Sequence, residues 1–260
     1  MNKEKIINFK GYVDLHFHLD GSLDIATVRE LMKLNNIKDD LSDEEIRKKT
    51  KVGKDCKDLN EYLSKFDFPI SLLQTKSAIS YAFYAVKERL MREGLIYAEI
   101  RFSPAFFTSG GLTQEEVIAS AIEGACRSKF NAKLILCLMR NQNLETNMET
   151  VLLAKKYIGD TIVSLDLAGA EGLFPTKDFR SLFIKAKELD IPFTIHAGEA
   201  DGASSVKAAL DFGAKRIGHG VNSFKDKDII DYVINNNITY EVCPTSNLNT
   251  RVINSVLDYP

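Results

Sequence analysis

Between Tyr12 and Gly21 the chain alternates without a break. Val13, Leu15, Phe17 and Leu19 are apolar, and Asp14, His16, His18 and Asp20 fall between them. A two-residue period is that of a β-strand with one apolar face. His16 and His18 therefore point the same way, about 6–7 Å apart along the strand. Gly21 then lets the chain turn.

Downstream the period becomes helical. Residues 23–35 place Ile25, Val28, Leu31 and Leu34 on one stripe, with Ser22 or Asp24 available as a cap. Residues 39–54 are charged and read as a short helix plus loop. Leu59, Tyr62, Leu63 and Phe66 form a second stripe, the ordinary pattern of a helix face packed on a core. A long helix over 76–93 ends at Gly94. Strands over 95–102, 133–139, 161–168, 192–196, 216–219 and 238–243 then alternate with helices over 113–130, 144–158, 176–189, 203–212 and 224–235. Thr113 opens a capping box with Glu116, and Pro244 closes the last strand. The tail, residues 248–260, has Val252, Ile253, Val256 and Leu257 at helical spacing.

Seven strands joined by helices, with no repeat and no linker, predict one domain over 1–260 with a parallel sheet. A doubly wound sheet and a (β/α)8 TIM-type barrel both satisfy the alternation. The polar positions decide for the barrel. His16, His18, Arg101, Ser103, Asp166, His196, His219 and Cys243 fall at the ends of many different strands, where barrels build their sites. A doubly wound sheet would gather them at one crevice, and no Gly-x-Gly-x-x-Gly follows the first strand. A closed barrel needs eight strands. The expectation is that an eighth follows Pro260 in a longer parent and that two strand edges stay unpaired without it.

Composition narrows the class of partner. The chain has 260 residues, 45% hydrophobic and 27% charged, with a formal net charge of -2. That balance predicts no attraction to nucleic acid or an anionic membrane. The N-terminal octapeptide has no secretory core, and no apolar run nears the roughly 20 residues that span a bilayer. The four cysteines show no paired spacing, which points to the cytoplasm.

The chain has four histidines, and each lies at a strand end. His196 shares a face with Thr194, and the small residues Ala197 and Gly198 let Glu199 swing back over the strand end. His219 stands between Gly218 and Gly220, which leave room for a ligand. The parts are three imidazoles able to hold a metal, a further imidazole, and a carboxyl placed for general acid work. Zinc with three protein ligands and an open position lowers the pKa of a bound water to about 7. The class supported is hydrolysis at an electrophilic carbon.

Five segments also resemble a known family in order and spacing. They are His16-Phe-His18-Leu-Asp20-Gly21-Ser22, Ser164-Leu-Asp-Leu-Ala168-Gly169-Ala-Glu171, His196-Ala-Gly-Glu199, Arg216-Ile-Gly-His219-Gly220 and Cys243-Pro-Thr-Ser-Asn247-Leu. Together with Glu99-Ile-Arg101-Phe-Ser103-Pro104 they are similar to the adenosine deaminases of the metal-dependent amidohydrolase superfamily. The resemblance implies a (β/α)8 barrel with one zinc per chain, acting in purine salvage on adenosine and 2'-deoxyadenosine. His16, His18 and His196 match the zinc-binding histidines. Glu199 matches the acid that protonates purine N1, and His219 the histidine that orients and helps deprotonate the attacking water. Asp20 matches the contact to the ribose 5'-hydroxyl, and the Gly169 backbone the contact to purine N3. Leu59, Tyr62, Leu63 and Phe66 match an apolar gate helix, against the core-packing reading of the same stripe.

The family's pattern also places Asn-Thr-Asp-Asp on the eighth strand, its first Asp on zinc and its second on purine N7. No such motif occurs before Pro260, and Asp258 follows a helical stretch. The expectation is therefore weak or absent turnover for this chain alone. The alternatives are a related purine aminohydrolase acting on adenine or a modified adenosine, a metal-dependent hydrolase of other substrates, and a catalytically dead nucleoside-binding form. Cytidine-type zinc deaminases need Cys-x-x-Cys, which is absent. Oligomeric state is left open.

Overall fold

The computed structural model describes residues 11–53 and 55–260. The N-terminal octapeptide and Lys54, at the end of the charged segment, lie outside them. The strands are β1 (Tyr12–His18), β2 (Leu95–Phe102), β3 (Ala132–Met139), β4 (Ile162–Ala168), β5 (Thr194–Ala197), β6 (Arg216–His219) and β7 (Thr239–Glu241). All pairings are parallel, in the orders β1-β2-β3-β4 and β5-β6-β7. A single bridge, Leu165 to Phe193, joins the two groups. The Pro192 carbonyl accepts from the Leu165 N–H at 2.9 Å, and without an N–H Pro192 cannot continue the ladder toward the start of β4. The result is a partial (β/α) barrel of seven strands. Among the described residues β1 and β7 each keep one edge without a strand neighbour.

The helices are α1 (Ile25–Leu34), α2 (Asp43–Thr50), α3 (Leu59–Leu63), α4 (Asp67–Leu72), α5 (Lys76–Arg92), α6 (Gln114–Arg127), α7 (Leu144–Tyr157), α8 (Arg180–Glu188), α9 (Ala203–Phe212), α10 (Lys227–Asn235) and α11 (Pro244–Asn249). Local chemistry sets their ends. Asp24 accepts from the Thr27 N–H at the start of α1, Ser42 and Thr113 form capping boxes with Glu45 and Glu116, and left-handed Gly213 stops α9.

The outward faces of the strands make the core beneath the helices. On β2, Ala98, Ile100 and Phe102 are buried, and Phe102 meets Phe83 of α5 edge to face at 4.8 Å. Ile100 and Phe102 each contribute about 1.5–3 kcal/mol by this burial. Glu99 and Arg101 face the interior, which is polar and charged.

Several expectations are corrected. The 59–66 helix stops at Leu63 and tightens to a 3-10 turn over Ser64–Phe66 before α4. Pro69 cannot donate to the carbonyl four residues back, so the α ladder fails there. The 176–189 helix begins as a 3-10 turn over Thr176–Phe179, because the Thr176 hydroxyl is held by Arg140 and Ser205. The 224–235 helix starts at Lys227, where Asp226 caps it. β7 is shorter than 238–243: Ile238 bonds back to Val233 in closing α10, and Pro244 opens α11, with Cys243 at its cap. The helical reading of 248–260 fails apart from the last turn of α11 and a 3-10 turn over Val256–Asp258. Leu257 is 95% exposed, so its spacing has no core to face. His16 and His18 of β1 both reach the interior, but an extra residue between Asp14 and Phe17 bulges the strand and interrupts its alternation, and Val13 at the open edge is 55% exposed.

Candidate active site

The C-terminal ends of the strands surround a cavity of about 650 Å³, a size suited to a small ligand. His16, His18 and Asp20 reach it from β1 and the turn after it. Gly169 comes from the end of β4, His196 and Glu199 from β5 and its loop, and His219 from β6. Leu59, Tyr62, Leu63 and Phe66 line the same cavity, as do Met139, Leu173 and Phe174. Every residue to which the sequence assigned a metal, catalytic or substrate role therefore lies on this one cavity.

The metal-ligand candidates converge. The donor atoms of His16, His18 and His196 lie within 4.8 Å of one another, and His18 Nε2 is 3.2 Å from His196 Nε2. Zinc–nitrogen bonds of 2.0–2.1 Å in a tetrahedron set ligand atoms about 3.3 Å apart, so this edge already has the required length. His16 Nδ1 lies 2.7 Å from Glu241 Oε2, and His196 Nδ1 lies 2.9 Å from Asp166 Oδ2. The carboxylates hold the protons on Nδ1 and leave both Nε2 atoms free to ligate.

Beneath the histidines lies a buried ionic network. Arg101 Nη1 donates to Asp166 at 2.7 Å, and its Nη2 to Glu241 at 2.7 Å and to the Leu15 carbonyl at 2.6 Å. Arg216 bridges Glu99 at 2.7 Å and Glu241 at 2.6 Å. Three carboxylates (Glu99, Asp166, Glu241) against two guanidiniums leave one negative charge under the imidazoles. Buried excess negative charge favours a cation above it, so the residues fit a divalent metal. Burial alone would raise the Asp166 carboxyl, but His196 and Arg101 outweigh it and hold Asp166 well below the usual carboxylate range. A second donor set, His16, His219 and Cys243, shares His16 with the first. It is the weaker claimant, because burial and then Glu199 push the Cys243 thiol up to about 12.

Burial lowers the pKa of His16, His18 and His219, with Arg101 adding to it at His16 and His196 at His18. All three favour the neutral form that ligation and base catalysis need. The folded pKa values lie below the ordinary 6.5, so the unfolded chain takes up protons first as pH falls. The metal-free protein should then lose stability below about pH 6.5, by up to about 1.4 kcal/mol per histidine per pH unit. Urea unfolding of chelator-treated protein at pH 7.5, 6.5 and 5.5 measures this; a flat stability across that range contradicts it.

On the other flank, His219 Nε2 stands 3.4 Å from Glu199 Oε2, and both side chains are buried. The Asn247 side-chain amide lies 3.1 Å from His219 Nδ1 and 3.2 Å from the Tyr259 hydroxyl, which holds the ring with Nε2 facing the cavity. His219 has φ +65, a conformation uncommon outside glycine, and it aims the ring inward. Two glycines serve differently from expectation. Gly218 gives room to the His16 ring rather than to a ligand: a Cβ there would sit 3.0 Å from His16 Cε1. Gly21 does not need a left-handed turn; a Cβ there would strike the Phe66 ring at 2.9 Å, so glycine lets that ring close over the cavity.

Sequence reasoning placed Arg101 and Asp166 among the polar strand ends and Glu171 and Asn247 inside motifs, but assigned no task to any of them or to Glu241. The available signal was charge in the middle of strands otherwise built for burial, such as Glu99 and Arg101 on β2 and Glu241 beside Tyr240 and Val242.

A family model described as adenosine deaminase matches residues 12–260. The adenosine deaminase of Haemophilus ducreyi is 45% identical, over 96% of this chain and 76% of that protein. The adenosine deaminase of Clostridium kluyveri is 36% identical, over 100% of this chain and 76% of its own length. Among solved structures, an adenine deaminase from Arthrobacter aurescens superposes with a TM-score of 0.86 at 28% identity, covering 97% of this chain and 77% of that one. The N6-methyl-AMP deaminase of Arabidopsis thaliana gives a TM-score of 0.80 at 26% identity, over 96% and 75%.

Proposed function

The chain belongs to the adenosine deaminase family, and on that premise we propose that it hydrolyses adenosine and 2'-deoxyadenosine to the inosine form and ammonia, with one zinc held by His16, His18 and His196. The observation that carries this reading is Glu199 and His219, 3.4 Å apart, on the same cavity as three converging imidazoles. Zinc in that position would supply a hydroxide nucleophile at neutral pH.

The protein's own groups do the rest. The buried Glu199 carboxyl gives a proton to purine N1, which makes C6 electrophilic. The neutral His219 takes a proton from the water whose oxygen attacks C6. That proton passes to the amino nitrogen, which leaves as ammonia, and the proton of the new C6–OH returns to Glu199 as the C6 carbonyl forms. Asp20 is buried at 6% exposure and pushed by burial up to about 7, and it receives the ribose 5'-hydroxyl. The Gly169 backbone meets purine N3. Leu59, Tyr62, Leu63 and Phe66, which line the cavity, cover the base and exclude water in this reading. Phe66→Ala should raise KM about tenfold with kcat little changed, since uniform binding is lost; steady-state kinetics on adenosine would show it, and an unchanged KM would remove the gate role.

Residues 1–260 are read as one barrel domain working in the cytoplasm on a small purine nucleoside, in keeping with a net charge of -2 and four free cysteines. Among the described residues no helix is long and apolar enough to cross a membrane. The chain spans 76% of the length of the curated relatives named above, and among its described residues no carboxylate joins the three imidazoles. The test is the ultraviolet absorbance change of adenosine with the zinc-loaded chain and, in parallel, with a version extended by an Asn-Thr-Asp-Asp strand. Inosine from either supports adenosine deamination. If both bind zinc and neither converts adenosine, the reading fails in favour of adenine, another purine, or nucleoside binding without turnover.

A further inference from the structure

Glu171 ends the Ser164-Leu-Asp-Leu-Ala168-Gly169-Ala-Glu171 segment. It lies in the turn after β4 and is 1% exposed. Four consecutive backbone N–H groups of the loop after β5 donate to its carboxylate: Gly198 at 2.6 Å, Glu199 at 2.9 Å, Ala200 at 2.7 Å and Asp201 at 3.0 Å. The Ser205 hydroxyl, at the start of α9, donates a fifth bond at 2.5 Å. On the other side of the loop, Asn222 Nδ2 donates to the carbonyls of Glu199 and Asp201, both at 2.9 Å.

Successive N–H groups that converge on one point form an anion-binding concavity. Here the anion is built into the chain. Four aligned donors would otherwise repel one another or order a foreign anion. A carboxylate with two oxygens can accept all of them, and an amide or a hydroxyl cannot. The loop pinned in this way carries the Glu199 side chain, whose carboxyl must reach both His219 and the base.

We propose that Glu171 is a positioning residue: its carboxylate fills the backbone anion site of residues 198–201 and thereby fixes where Glu199 delivers its proton. This deepens the deaminase reading and rests on it for the catalytic consequence. The structural part, the clamped loop, stands without any substrate.

Two variants test it in the zinc-loaded chain, or in the extended version if only that one turns over adenosine. Glu171→Ala empties the concavity. Glu171→Gln keeps the volume but turns an amide NH2 toward the donors, and it serves if the alanine variant fails to fold. Hydrogen exchange followed by mass spectrometry should show the 198–201 amides exchanging at least about tenfold faster in either variant, with the rest of the barrel unchanged. The kcat should fall by about 10²-fold, within the range general acid catalysis supplies, with KM within about threefold. Formate, an anion that fits the emptied site, should restore part of both in Glu171→Ala. In a Glu199→Gln background the Glu171 substitutions should add little further loss. Unchanged exchange at 198–201, or a rate loss that formate does not restore and that is undiminished in the Glu199→Gln background, overturns the proposal. If no form of the protein turns over adenosine while exchange rises and formate reverses it, the clamp stands and the deaminase reading is what fails.

Discussion

Arg101→Met should destabilise the barrel by about 3–5 kcal/mol, the largest effect expected of any single substitution here. Arg101 is fully buried and donates to Asp166, Glu241 and the Leu15 carbonyl. Methionine fills similar space but leaves Asp166 and Glu241 facing each other in the interior with less opposing charge. The loss is a large part of the about 5–15 kcal/mol by which a folded domain is stable. For a chain of this size it should lower Tm by roughly 10 °C or more. A second consequence separates this from ordinary core damage. Asp166 orients His196 and Glu241 orients His16, so zinc affinity should fall about 10–100-fold in whatever fraction remains folded. Arg101→Lys should recover part of the stability but less of the zinc affinity, since an ammonium is a point charge and cannot bridge two carboxylates as a planar fork does. Thermal unfolding and a zinc titration measure the two effects. A Tm within a degree or two of the parent would show that the network contributes no net stability.

Glu199→Gln should cost about 10²–10⁴ in kcat while leaving fold and zinc content intact. Glutamine keeps the shape and can still approach His219, but it has no proton to give to a ring nitrogen. Glu199 is 6% exposed and contacts the Thr250 hydroxyl at 3.4 Å and His219 at 3.4 Å, so its replacement removes no large packed surface. The loss should therefore fall in kcat and in kcat/KM together, the signature of an interaction made in the transition state. Rate measurements on zinc-matched samples decide it. A kcat within tenfold of the parent would move the acid role to another group.

Much of this protein was legible in residue order. The alternation at 12–21 marked β1 and put both histidines on one face, the strand–helix rhythm required a parallel sheet, and the polar residues at many strand ends chose the barrel. Helix starts at Thr113 and Asp24 were readable because a cap needs only a side-chain oxygen three residues before the N–H it satisfies. These are local rules, acting over fewer than about ten residues. Where local signals conflicted, the reading slipped. Apolar spacing alone could not show that residues 248–260 have no core to meet, or that Pro69 would break the helical run that starts at Leu59.

Residue type and short-range spacing by themselves determined the parallel α/β architecture, the identity of the imidazoles and carboxyl that face the cavity, and the class of chemistry they support. Only the tertiary structure decided how those groups are held. Glu241 turns His16 across 225 residues of chain, Arg101 meets Asp166 across 65, and Glu171 reaches the loop of Glu199 across 28. No sequence period encodes such partners. They meet because the curved sheet brings distant strand ends to one centre, where a buried charge is tolerated only if another strand supplies its counter-charge.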